Sequence, residues 1–129
     1  MEIVRMAWAA YIAGDLDGVV EHFAPDVEVD MTNLAGWLED DVYCGHAGFR
    51  RFISEWFAPF DRHENGVDEF IDLTPECVVT FPWQRAYGAD SHVPVEMRVA
   101  NVFTLRNGKV VRIEMWSDQE AARAEALRR

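Results

Sequence analysis

Asn101 is the residue whose type and position most need a chemical explanation. It lies in a run whose odd positions are otherwise Val93, Val95, Met97, Val99, Phe103 and Leu105. Alternation with period two puts these on one face of a strand, leaving a single amide among apolar neighbours. A buried amide without a partner costs about 1–3 kcal/mol. Asn101 is therefore either bonded to a neighbouring helix carbonyl or faces a cavity, where it could bond a ligand oxygen. Tyr11 offers a second polar tip, either satisfied within the core or turned into the same pocket.

The other reactive side chains form no recognisable constellation. His22, His46, His63 and His92 show neither HxH nor HExxH spacing, so no metal site is expected. Cys44 and Cys77 stand in no metal or redox spacing and read as free thiols in a reducing compartment. No Ser-His-Asp or Cys-His order and no Gly-rich phosphate loop occurs. No cofactor is expected. His46 opens a helix, where the dipole favours neutral imidazole and a structural role is expected. Asp30 should point away from Val29 and Met31, hence away from a pocket, unless the strand is bulged. Glu39, Asp40 and Asp41 read as a solvated acidic run.

Elements that could position Asn101 follow from periodicity. Val4, Ala7, Trp8 and Tyr11 recur at helical spacing, which predicts a helix over residues 2–13 ended by Gly14. Asp15 is the expected N-cap of a short second helix, closed by Pro25. Residues 26–31 alternate as a half-buried strand, and 32–45 read as a loop. Phe49, Phe52, Ile53, Trp56, Phe57 and Phe60 form the apolar stripe of a third helix starting near His46. Strands are expected at roughly 64–73, 76–87, 92–105 and 109–117, with a final helix over 119–129. Helices followed by long strands give an α+β plan, with helices on one face of a largely antiparallel sheet.

The last hairpin has two possible registers. A two-residue Asn107-Gly108 turn would pair Asn101 with Glu114 and put Arg112 and Glu114 on the apolar face. A three-residue turn, Arg106 to Gly108, pairs Asn101 with Ile113 and unites it with a Val111, Ile113 and Met115 stripe. The second register is the expected one. The outer face then carries Ala100, Val102 and Trp116 among charged residues, an apolar patch that predicts a homodimer.

The chain has 129 residues, enough for one domain over 1–129 with a single core. A formal net charge of −11 argues against nucleic acid and anionic membranes as partners. Neither a signal segment nor a bilayer-spanning apolar run is present, and the cytoplasm is the expected location.

Three stretches, AYIAGDLDGVVEHFAPDVEVD, YCGHAGFRRFISEWF and VEMRVANVFTLRNGKVVRIEMWSD, together resemble the SnoaL-like family of the nuclear-transport-factor-2-like superfamily. The resemblance implies a cone-shaped fold, a curved sheet wrapped around N-terminal helices to enclose a pocket. It also places the chain near polyketide cyclases, ketosteroid isomerases, limonene epoxide hydrolases and scytalone dehydratases. Carried over position by position, the isomerases' helix-1 tyrosine falls on Ala7, their aspartate base on Met31 and their penultimate-strand acid on Asn101. The epoxide hydrolases' late aspartate falls on Met115, and residues 77–81 hold no Arg–Asp pair. Catalytic residues are thus unassigned. The expected ligand is an apolar, oxygen-bearing small molecule, in a pocket lined by Tyr11, Met31, Trp37, Trp56, Phe81, Val99, Asn101, Phe103, Ile113 and Met115. A cyclase, isomerase or dehydratase acting on a carbonyl compound is the alternative, and a non-catalytic dimeric module the second.

Overall fold

The computed structural model describes residues 2–88 and 92–128. Its elements run α1 (Glu2–Ile12), α2 (Leu16–Val20), β1 (Phe23–Asn33), β2 (Val42–Cys44), α3 (Gly45–Phe57), β3 (Arg62–Thr74), β4 (Cys77–Tyr87), β5 (Val95–Arg98), β6 (Ala100–Arg106), β7 (Lys109–Trp116) and α4 (Gln119–Leu127). The strands form one mixed, curved sheet in the order β2-β1-β7-β6-β4-β3, with β5 also paired to β4. Only the β1–β7 pair is parallel among the pairings described. The α+β plan and the cone-like enclosure agree with the sequence.

Local chemistry explains most boundaries. Asp15 caps α2, its carboxylate accepting from Gly18 N at 2.9 Å. Pro25 does not close that helix from outside; it lies within β1, which pairs irregularly with β7 between Phe23 and Glu28. A proline lacks the N–H that a regular ladder would need there. The expected 32–45 loop also contains a short strand, β2, that pairs with β1 and buries Tyr43 completely. Three residues are too few for a period to be read. The expected 92–105 strand divides at Val99, opposite Pro82, so that β5 and β6 pair with successive stretches of β4.

The last hairpin reaches the expected face by a different device. Its turn is the two-residue Asn107-Gly108 loop, with φ of 53° and 77° as a primed hairpin turn requires. A bulge at Val111 then shifts the ladder, so Asn101 pairs with Met115 and Phe103 with Ile113, not Asn101 with Ile113. Adding one residue in the strand restores the same parity as adding one in the turn. The bulge also hands the inward position to Val110, fully buried opposite Leu105, in place of Val111.

Two apolar clusters flank the sheet. The larger, on the concave side, packs Val4, Phe23, Val29, Phe49, Phe52, Phe103 and Ile113 under α1, α2 and α3. The smaller, on the outer side, joins Cys77, Val79, Phe81, Ala100 and Val102 to Ala122 and Ala126 of α4. Two of the three residues behind the homodimer expectation, Ala100 and Val102, are fully buried beneath the chain's own last helix, and Trp116 is half buried. Small residues at 122 and 126, one turn apart, let α4 approach the sheet closely. Asp118 caps that helix, and Gln119 Nε2 donates to Val99 O at 3.0 Å, tying its start to the β5–β6 break.

Asp30 points to the outer face of β1, as alternation requires. Its Oδ1 accepts from Thr32 N and Oγ1 at 2.9 and 2.6 Å, and its Oδ2 accepts from Arg112. Burial pushes this carboxyl's pKa up, but the Thr32 hydrogen bonds and the Arg112 guanidinium outweigh it and hold the pKa below its usual value. The stability gained is present above the unfolded-state pKa of about 3.9 and is lost as pH falls through the folded value. Arg112→Leu is therefore expected to cost about 1–3 kcal/mol at pH 7, discounted because Arg112 is half exposed. Urea denaturation of both proteins at pH 7 and pH 3 checks this, since the difference should be smaller at the lower pH.

Candidate functional site

The concave cluster does not close completely. Between α1, α3 and the sheet lies a cavity of about 90 Å³. Ala7, Trp8 and Tyr11 face it from α1, and Phe49, Phe52, Ile53 and Trp56 from α3. The sheet contributes Asn65 from β3, Pro82, Trp83 and Gln84 from β4, and Met97 from β5. Val99, Asn101, Phe103, Ile113 and Met115 complete the wall along the last hairpin. Half-buried Asn65, Trp83 and Met97 form the rim. Gly66 belongs to that rim by necessity: a Cβ there would come within 2.4 Å of the Trp83 indole nitrogen.

Of the residues expected in the pocket, Tyr11, Trp56, Val99, Asn101, Phe103, Ile113 and Met115 meet around this cavity. Three do not. Phe81 lies on the opposite face of β4, in the outer cluster with the Arg123 guanidinium 4.8 Å from its ring centroid. Adjacent residues of a strand face opposite ways, so Thr80, Pro82 and Phe81 cannot all look inward. Met31 is buried in the core past the end of the cavity, where the chain turns and Leu34 N donates to its carbonyl. Trp37 stands behind Trp56, 5.5 Å between ring centroids, and donates through Nε1 to Asp40 O.

The polar groups of the cavity are few, and two are unusual. Asn101 is 4 % exposed, and its Oδ1 has no hydrogen-bond partner. No hydrogen bond from Asn101 Nδ2 to a helix carbonyl occurs among the described residues either. Gln84 is 7 % exposed; its Oε1 accepts from Trp56 Nε1 at 2.8 Å, while its Nε2 has no partner. Alternation along 93–105 pointed to Asn101, whereas Gln84 went unrecognised within the nearly unbroken apolar run of β4. The available signal was its parity with Val78 and Thr80, both inward-facing.

Titratable chemistry is sparse. Among the described lining residues only Tyr11 is titratable, and burial pushes its phenol well above its ordinary pKa. It is therefore a neutral hydroxyl at any physiological pH. His46 lies outside the cavity, its Nε2–H donating to Phe23 O at 3.0 Å, which is a structural tie. Asp40 pairs with Arg51 at 2.7 Å on the surface, and Glu39 and Asp41 are exposed. At the rim, Asn65 Nδ2 donates to His63 Nδ1 at 2.6 Å, and the His63 ring stacks on Phe57. Burial holds the His63 pKa below its usual value. No group of three or more metal-ligating side chains occurs among the described residues, where no helix is long and apolar enough to cross a membrane. Neither Cys44 nor Cys77 is in a disulfide.

Sequence comparison supplies the family, with a SnoaL-like domain profile matching residues 4–113. The chain belongs to the SnoaL-like family. No curated protein matches it. Solved structures of similar shape include TerC co-crystallised with polyporic acid, 22% identical with a TM-score of 0.77, over 99% of this chain and 97% of that one. A nuclear-transport-factor-2-like protein of unknown function from Burkholderia pseudomallei is 23% identical, with a TM-score of 0.77 and coverages of 98% and 95%. A protein of Jannaschia sp. CCS1 assigned to the SnoaL-like polyketide cyclases is 16% identical, with a TM-score of 0.70 and coverages of 97% and 91%. At these identities the likeness is one of fold, and SnoaL-like folds host unrelated chemistries.

Proposed function

We propose that this SnoaL-like protein binds a neutral, mostly apolar small molecule bearing at least one oxygen, with Asn101 as the group that orients it. The observation that carries this reading is the buried Asn101 oxygen, unpartnered in a cavity whose walls are otherwise aromatic and aliphatic. Leaving such a group unsatisfied costs about 1–3 kcal/mol, and a ligand hydroxyl would recover it. Absence of a cation from the described lining disfavours a charged ligand, because burying an unpaired carboxylate costs far more than a neutral group. The likeness in fold to a polyketide cyclase and to TerC, crystallised with polyporic acid, fits a ring-bearing, oxygenated ligand.

Size narrows the class further. An engineered cavity of about 150 Å³ takes up benzene, so about 90 Å³ accepts one ring only with some side-chain movement or protrusion at the rim. The test is a thermal-shift and calorimetric panel of acetophenone, phenol, 2-naphthol and benzoate. Neutral members should bind and raise Tm in proportion to ln(1 + [L]/Kd), and benzoate should not. Asn101→Leu should weaken phenol binding about tenfold. Failure of every neutral ring compound to bind at its solubility limit would contradict the reading.

A further inference from the structure

We infer that Gln84 is a specificity-determining residue, a hydrogen-bond donor whose direction is imposed by Trp56, and that it selects ligands carrying a neutral carbonyl oxygen. This deepens the proposal above and rests on it. An amide side chain can normally turn over and offer either its oxygen or its NH2. Gln84 cannot do so without loss. An indole nitrogen is a donor only, and Trp56 Nε1 lies 2.8 Å from Gln84 Oε1. Turning the amide would set N–H against N–H and forfeit that bond. The Nε2 group is consequently held as a donor, buried and without a partner, in the wall of the cavity.

The surroundings explain why the donor persists. Gln84 sits towards the C-terminal end of β4, flanked across the ladder by Asn65 on β3 and Met97 on β5. Asn65 is itself engaged, its Nδ2 directed at His63 Nδ1. Asn101, in contrast, has no hydrogen bond fixing its amide and can present oxygen or nitrogen as a ligand requires. Thr80 pairs with Asn101, so Gln84 lies four residues further along β4, roughly 13 Å at strand rise. The two amides therefore address different ends of the cavity.

The test compares two molecules of one shape, acetophenone and α-methylstyrene, in which C=CH2 replaces C=O. Affinities are measured by NMR titration for wild type, Gln84→Met, Trp56→Phe and Asn101→Leu. Taking the ratio of the two affinities within each protein, and comparing ratios between proteins, removes the difference in their hydration. Gln84→Met is expected to lower the ketone-to-alkene ratio about tenfold, the loss of one buried hydrogen bond. Binding of α-methylstyrene reports that the variant is folded and its cavity intact. Trp56→Phe, which frees the amide to turn, is expected to lower the ratio roughly threefold. A ratio unchanged within twofold in Gln84→Met would overturn the assignment, as would a fall confined to Asn101→Leu, while α-methylstyrene binding would keep the small-molecule reading intact. If neither compound bound any of the proteins, both the reading and this assignment would fall together.

Discussion

A β,γ-unsaturated ketosteroid incubated with this protein is expected to isomerise at least about 10²-fold more slowly than with a dedicated isomerase, because a positioned general base contributes about 10²–10⁴-fold. The cavity holds no carboxylate among its described lining residues, and its one phenol, Tyr11, is kept firmly protonated. Met31, which the family resemblance places at the base position, is buried in the core outside the lining. Met31→Asp should therefore destabilise the protein by burying a carboxylate instead of supplying a base. Stopped-time assays by ultraviolet absorbance of the conjugated product measure this, and wild-type turnover within tenfold of a true isomerase would contradict it.

Removing α4 is expected to increase self-association of the protein. The outer sheet face reads as a dimer surface because Ala100, Val102 and Trp116 are too apolar for solvent. The fold covers that face internally, setting Ala122 and Ala126 against Ala100, Val102, Val79 and Phe81. Deleting residues 119–129 would uncover Val102 and Phe81, now 0% and 4% exposed, with a stability loss of about 2–4 kcal/mol. An apolar strip on an open sheet then favours a second copy. Sedimentation velocity across micromolar concentrations should show stronger association of the truncated chain than of the intact chain. A truncated chain that stays monomeric and unfolds at the full-length Tm would show that α4 is not what shields this face.

The two cases show what the sequence makes legible. Asn101 is visible because six neighbours of the same parity are apolar, so one amide breaks a clear period. Gln84 is hidden because β4, Cys77 to Tyr87, is covered on both faces and reads as nearly continuous apolar sequence. Its orientation also depends on Trp56, 28 residues away in sequence, and no local pattern encodes that contact. The hairpin is an intermediate case. Parity survives whether the extra residue sits in the turn or in the strand, so the faces are legible although the pairing is not. Likewise the helical character of residues 119–127 is plain, yet which face of the sheet they cover depends on tertiary packing. That packing is why an apolar patch can be read as needing a cover while the residues that cover Ala100 and Val102 stay hidden.

The most direct test of the cavity's role needs no ligand at all. If the Asn101 amide is kept for something that binds, it is a liability in the empty protein, and Asn101→Leu should stabilise it. Removing a buried, unpartnered oxygen is worth about 1–3 kcal/mol. For a chain of this size each kcal/mol shifts Tm by roughly 3–6 °C. Urea and thermal denaturation of wild type and Asn101→Leu, both ligand-free, should therefore show the variant more stable by about 1 kcal/mol or more. A variant less stable than wild type by that amount would show that the amide is satisfied within the fold, and that Asn101 is a structural residue.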